Sequence, residues 1–325
     1  MTELDPTELA ARALGRDPAS VARAISLVED RRVESEPRAV ALLRAFAARG
    51  RAGSCQRVGI TGPPGVGKST LVSALIRGWR GAGRTVGALC VDPSSPRSGG
   101  ALLGDRARIE LDAADDGVFV RSMASGGQLG GLARAAGAAV DVLSAVYDVV
   151  LIETVGVGQS ETDVEHVADT VLLVVQPASG DVLQFIKAGI VEIPDVLAVN
   201  KADLGAVAER AVAELRGALR LSLEQSGEAL PPLCSTSATT GAGVDELRAT
   251  LDGHFAALVA DGRLAGRRLG KSAAWAARLF AQRHGEIGVE RAGGAPALRA
   301  ALERELAAGA TLVEALRDAA RGLDG

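Results

Sequence analysis

Aromatic side chains are nearly absent from this chain: Phe, Trp and Tyr together supply 2% of its 325 residues. A core must therefore be assembled from Ala, Val, Leu and Ile, and no aromatic platform exists on which exposed nucleobases would stack. Cysteine and histidine are equally scarce. Cys55, Cys90 and Cys234 stand far apart, as do His166, His254 and His284, and none has metal-type spacing. That speaks against a Cys/His metal framework and points to reduced thiols in a cytoplasmic protein. An excess of positive charge is also missing. The formal net charge is −4, so a general nucleic-acid binder is not expected. No apolar run approaches the ~18 residues of a membrane span. The start, Met1-Thr2-Glu3-Leu4-Asp5-Pro6, lacks the basic-then-apolar order of a secretory signal. Neither a nucleic acid nor a membrane is an expected partner.

What is present is apolar aliphatic content and glycine. Hydrophobic residues make up 47% of the chain, ample for a full core, and the 40 glycines gather in a few short stretches. One stretch is Gly62-Pro63-Pro64-Gly65-Val66-Gly67-Lys68-Ser69, followed by Thr70, an intact G-x-x-x-x-G-K-[ST] pattern. Arg57–Thr61 before it reads as a short strand. Leu71, Val72, Leu75 and Ile76 after it lie on one helix face. In that context, glycines let successive backbone N–H groups turn toward phosphate oxygens at a helix N-terminus, where the dipole favours anions. Lys68 then supplies a cation for the β- and γ-phosphates, and the Ser69 hydroxyl is a Mg²⁺ ligand.

Around this motif the periodicity alternates between strand and helix. Continuous apolar runs at Val58–Thr61, Val86–Val91, Val118–Arg121, Val149–Glu153, Val171–Val175, Val196–Asn200 and Leu233–Thr236 read as strands covered on both faces. The fold expected is α/β, a P-loop NTPase with a mainly parallel sheet flanked by helices. Residues 1–53 form a helical extension, with Val21, Ile25 and Val28 on one face and Val40, Leu43 and Phe46 on a second helix that has Pro37 in its first turn. Residues 54–258 form the nucleotide-binding domain. Residues 259–325 form a helical arm with apolar faces at Trp275, Leu279 and Phe280, at Leu298, Leu302 and Leu306, and at Leu312, Leu316 and Ala320. Such faces need either a core of their own or a second copy of the chain, and a homodimer is the expectation.

Ligands of parallel sheets gather at the carboxyl ends of strands, so the residues that follow each strand carry the chemistry. Asp92 ends the second strand and opens a loop rich in Pro, Ser and Gly. Glu153 ends the fourth, with Gly156 three residues on, in the form of a D-x-x-G element with Glu for Asp. Its carboxylate would hold Mg²⁺, the Gly156 N–H would sense the γ-phosphate, and Gln159 is a weak candidate for orienting water. Asn200-Lys201-Ala202-Asp203 ends the sixth. An aspartate carboxylate accepts from guanine N1–H and the exocyclic amine together, whereas adenine offers no such pair. Ser237, Ala238 and Thr239 follow the seventh strand as candidate backbone donors to the guanine O6.

Taken in order, Gly62–Thr70, Val91-Asp-Pro-Ser-Ser-Pro-Arg-Ser-Gly-Gly100, Leu103-Gly-Asp-Arg106, Ile152-Glu-Thr-Val-Gly-Val-Gly-Gln-Ser-Glu161 and Asn200–Asp203 closely resemble the MeaB/ArgK family of P-loop GTPases, which includes the methylmalonic aciduria type A protein. The resemblance runs from about residue 10 to 260. It implies a homodimeric GTPase with GTP/GDP and Mg²⁺ that gates adenosylcobalamin loading and protects methylmalonyl-CoA mutase or a related B12-dependent acyl-CoA mutase. Under it, Lys68, Asp92, Asp105 and Glu153 are the candidate catalytic residues, and Ser69, Asp92 and Glu153 the metal set. Gly62 to Thr70, Gly156, Asn200 to Asp203 and Ser237 to Thr239 bind nucleotide. Asp181, Gln184 and Lys187 are candidate relays to the mutase. A nickel-type GTPase metallochaperone would need His or Cys pairs that are absent. A kinase or transport-linked ATPase would need adenine preference, which Asp203 opposes.

Overall fold

Runs dominated by Val, Ile and Leu become a sheet here because strands covered on both faces favour continuous apolar residues over alternation. A computed structural model describes residues 4–30, 32–50, 53–92, 115–124, 135–154, 163–177, 194–223 and 229–323, without the side chains of residues 92, 222 and 223. Asp105, Gly156, Gln159, Asp181, Gln184, Lys187 and the Asp92 side chain lie outside what is described.

The chain divides into two units, Gln56–Ala133 with Tyr147–Ala260, and Met1–Cys55 with Arg134–Val146 and Asp261–Gly325. The first of these holds the sheet. Its strands are β1 (Gln56–Thr61), β2 (Val86–Asp92), β3 (Val118–Ala124), β4 (Val149–Glu153), β5 (Thr170–Val175), β6 (Val196–Val199) and β7 (Leu233–Ser235). They are arranged β3-β2-β4-β1-β5-β6-β7, and every pairing is parallel. β1 lies at the centre, with β2, β3 and β4 to one side and β5, β6 and β7 to the other. The sense in which successive strands are added therefore reverses beside β1, the position at which a parallel sheet opens a crevice at its carboxyl end.

Alternation along the strands feeds two cores. Ile60, Cys90, Leu151, Leu172 and Val174 face helices α4 (Lys68–Gly81) and α7 (Val244–Ala260), against Leu75, Trp79, Leu247 and Leu251. Leu173, Val175, Leu197 and Val199 point the other way, onto Leu215 and Leu219 of α6 (Ala206–Leu223). Each fully buried leucine of this kind contributes about 2 kcal/mol through removal from water. Where a 3-10 turn (Val164–His166) crosses β1, Gly59 leaves no room for a Cβ against Val164 and Ala168.

The other unit is helical. Its elements are α1 (Pro6–Leu14), α2 (Pro18–Glu29), α3 (Glu36–Arg49), α5 (Ala136–Val146), α8 (Arg263–Arg291), α9 (Ala295–Ala307) and α10 (Leu312–Arg321). Asp5 and Asp17 cap α1 and α2 by accepting from Thr7 N and Ser20 N, each ahead of a proline that the first turn tolerates. α8 is broken at Gly285, whose φ is 67°, so one long helical stretch in the sequence is two helices in space. α8, α9 and α10 bury a core of their own: Ala276, Phe280, Leu298, Leu302 and Ala315. α5 is drawn into this unit. Its Gly137 lets Trp275 and Leu312 approach to within 4 Å of where a Cβ would stand.

Candidate nucleotide-binding site

The loop between β1 and α4 is shaped by three glycines with positive φ: Gly62 at 143°, Gly65 at 78° and Gly67 at 91°. At two of these, space adds to the torsional demand. A Cβ on Gly62 would collide with the Val174 carbonyl, and one on Gly67 would meet the Asn200 side-chain nitrogen at 2.6 Å. Gly67 caps α4, so the first helical residues are Lys68, Ser69 and Thr70, and their N–H groups stand at the positive end of the helix dipole. Lys68 is buried, and its Nζ donates to the Gly62 and Pro63 carbonyls at 2.8 and 3.1 Å. The cation is thus held on the loop that the sequence assigns to phosphate.

Ser69 and Glu153, 84 positions apart in sequence, meet because β1 and β4 are neighbours. The Ser69 hydroxyl donates to Glu153 Oε1 at 2.8 Å, and Glu153 is buried at the end of β4. Two hard oxygen donors converge at the mouth of a phosphate loop. That matches Mg²⁺, which takes one or two protein oxygens and completes its octahedron with phosphates and water. Thr154 Oγ1 donates to Thr61 Oγ1 at 3.2 Å and Thr154 N to the Ile60 carbonyl at 3.1 Å, so the start of the segment after β4 is pinned to β1. Asp92 ends β2 opposite Ala124 of β3.

Asn200 organises the strand ends beyond the loop. Its Nδ2 donates to the Val66 carbonyl at 2.8 Å, and its Oδ1 accepts from Ala238 N at 3.0 Å and Thr236 Oγ1 at 3.4 Å. One buried amide therefore ties the phosphate loop, the end of β6 and the turn after β7 together. Truncation would orphan Val66 O and Ala238 N, about 1–3 kcal/mol each. Lys201 sits at a φ of 65°, unusual for a residue with a Cβ, and its Nζ donates to the Gly65 carbonyl at 2.9 Å and to Gln176 Oε1. Ala202 N donates to the Thr236 carbonyl at 2.9 Å. Asp203 is exposed, and its Oδ1 accepts from Ser237 Oγ at 2.5 Å. That hydroxyl, with the Asp203 backbone N–H and the nearby Lys201 ammonium, holds the carboxyl below its ordinary range. It is poised as an anion, ready to accept from N–H donors.

The turn after β7 carries internal hydrogen bonds of its own. Ser237 N donates to the Ala242 carbonyl at 2.9 Å, and Ala238 N is taken by Asn200. These two N–H groups are engaged inside the protein, where Ser237 steadies Asp203 and Ala238 steadies Asn200. Thr239, on the same turn, is exposed. Gln176 and Thr154 were not legible as site residues. Their only sequence signal is that each immediately follows an apolar strand.

Among the described residues no three His, Cys, Asp or Glu side chains cluster as a metal site, and no helix is long and apolar enough to cross a membrane. The family model for the methylmalonyl-CoA mutase-associated GTPase MeaB matches residues 21–287. A Pyrococcus horikoshii protein whose name likewise carries the word GTPase is 45% identical over 264 residues, covering 80% of this chain and 81% of that one. The mouse mitochondrial methylmalonic aciduria type A homolog is 37% identical over 268 residues, covering 79% of this chain and 65% of its own. A crystal structure of an LAO/AO transport system kinase matches the whole chain and 98% of its own, with TM-score 0.68 and 28% identity.

Proposed function

The chain belongs to the MeaB family and is a GTPase, and on that premise we propose that its cycle serves as a switch for a B12-dependent mutase. GTP and Mg²⁺ bind in the crevice beside β1, hydrolysis yields GDP and phosphate, and the change is read by methylmalonyl-CoA mutase or a related acyl-CoA mutase. In the bound state adenosylcobalamin loading is gated and the mutase is protected from inactivation.

In this reading Lys68 neutralises the β- and γ-phosphates, and the N–H groups of Gly65 to Thr70 wrap them. Ser69 and Glu153 would hold Mg²⁺, and the sequence motifs assign Asp92, Asp105 and Gly156 to the same reaction. The metal supplies charge neutralisation of the transferring phosphoryl group. Asp203 reads guanine, with Asn200, Lys201 and Ala202 holding it in place. The observation that carries the switch is the Ser69–Glu153 contact of 2.8 Å. It couples the metal ligands on the phosphate loop to the carboxylate from which the Gly156 segment departs.

We further propose that 259–325 is a dimerisation arm. Ile287, just past the break in α8, is 68% exposed and gives a second copy an apolar contact. Three buried thiols outside any disulfide fit a reducing compartment, and the cytoplasm is our assignment. The test of the partner is co-purification from cell extract on a non-hydrolysable GTP analogue. Recovery of a cobalamin-dependent mutase that is lost when GDP replaces the analogue is the expected result. Recovery of a nickel enzyme, or a mutase bound equally with either nucleotide, overturns the reading.

A further inference from the structure

We propose that Cys90 is a positioning residue for the Mg²⁺ site, orienting the Glu153 carboxylate through its thiol; this rests on the reading of Glu153 as a metal-holding carboxylate.

In a parallel sheet, residues paired across strands project from the same face. Ser122 of β3, Cys90 of β2 and Glu153 of β4 form one such row, which continues through Ile60 of β1 and Leu172 of β5 to Val196 of β6. On the β1 side of Glu153 the row is wholly aliphatic. On the β2 side it is polar: the Cys90 thiol is fully buried with Sγ 4.0 Å from Glu153 Oε2, and beyond it Ser122 Oγ is buried without a hydrogen-bond partner among the described residues.

The carboxylate is thereby held from two directions. Oε1 takes the Ser69 hydroxyl and Oε2 faces the thiol. A carboxylate torsion is broad and roughly two-fold, so one contact alone leaves the plane loosely defined and a second one orients it. A buried carboxylate oxygen beside an S–H, which is a weak donor, is also better placed than one beside a methyl group. An ordinary small apolar filler would serve the packing equally well at this position, since the strand residues on either side of Cys90 are Leu89 and Val91. The thiol is therefore the feature that needs a reason, and the orientation of Glu153 supplies one.

The test follows dissociation of N-methylanthraniloyl-GDP from the full chain while MgCl₂ is titrated, with Cys90→Ala, Cys90→Val and Cys90→Ser. Loss of one modest hydrogen bond to a charged acceptor shifts an equilibrium by roughly three- to tenfold. Cys90→Ala and the shape-filling Cys90→Val should raise the half-effective Mg²⁺ concentration by that factor, and Cys90→Ser, which restores a donor, should return it to within about twofold of wild type. A packing role predicts the reverse ranking, with valine tolerated and the buried hydroxyl of serine not. If alanine and valine behave as wild type, or if serine shifts as far as they do, the positioning role is wrong. Ser69→Ala in the same assay separates the two layers of the argument. A shift there with none at Cys90 removes only the thiol's role, whereas an unchanged Ser69→Ala curve removes the Mg²⁺ reading itself.

Discussion

The sheet unit and the helical unit are built from the same aliphatic alphabet, yet they are held together differently. In the sheet unit each functional group follows a strand, and strand neighbours deliver Lys68, Glu153 and Asn200 to one crevice. In the helical unit three separate stretches of chain must find each other, and the contacts that join them are long in sequence. Arg44 Nη2 meets Glu314 Oε1 at 2.6 Å across 270 positions. Function therefore sits where local sequence dictates local structure, and the helical unit depends on tertiary packing for its existence.

The largest expected effect sharpens that contrast. Lys68→Ala should lower GTP turnover by at least about a hundredfold, as loss of a preorganised charge at a transferring phosphoryl group does. Thermal unfolding of the helical unit should stay where it was. Unchanged turnover in a steady-state phosphate-release assay would remove Lys68 from the phosphate site. Next comes Asp203→Asn, which should cost about 10²–10⁴-fold in GTP affinity while improving xanthosine triphosphate, because the carboxamide cannot accept from both N–H donors. Calorimetry showing retained preference for GTP over both ATP and the xanthine nucleotide would refute base reading by Asp203.

On the helical side, Phe280→Ala removes the largest side chain from the α8–α10 core and should destabilise that unit by about 3–5 kcal/mol. Nucleotide affinity measured by fluorescence should change much less than stability measured in urea. If the two fell together, the units would be energetically one, and the comparison would break. The smallest effect concerns Glu314. Burial pushes its carboxyl up, but Thr311 N, Thr311 Oγ1 and Arg44 together outweigh that and hold it below its ordinary value. A depressed carboxylate contributes stability that is present above its unfolded pKa near 4.5 and lost as pH falls through the lower folded value. Glu314→Gln should cost about 1 kcal/mol at neutral pH and flatten the dependence of stability on pH below that point. An equally steep acid limb in wild type and variant would contradict the assignment.

Much of the nucleotide site was legible because its elements are contiguous. All seven strands stand where apolar runs predict them, with ends displaced by a few residues. The loop glycines reveal positive φ through residue type alone. Less legible were the bridges: Lys201 to Gly65, Asn200 to Val66, and the diversion of the Ser237 and Ala238 N–H groups to internal partners. Each joins residues with no periodic relation, so no pattern announces it. In the helical unit α1 and the break at Gly285 escaped notice for a related reason. A nine-residue helix that buries one leucine and two alanines offers few large apolar residues to mark its period, and one glycine within a long helical pattern is usually tolerated.

By itself the sequence named the candidate residues for guanine and phosphate, since an intact glycine loop, a strand-end carboxylate and Asn200–Asp203 fit few other chemistries. It also determined the α/β class, through the alternation of period. Tertiary structure alone decided which of those residues meet. Strand order is a matter of crossover and packing, and no local preference states that β4 lies between β2 and β1. That one insertion brings Glu153 onto Ser69 and lays Cys90 beside it. Tertiary structure likewise decided that α5, which lies between β3 and β4 in sequence, groups with the helical unit, because a helix this rich in Ala, Val and Leu has no narrow apolar stripe to announce its partner.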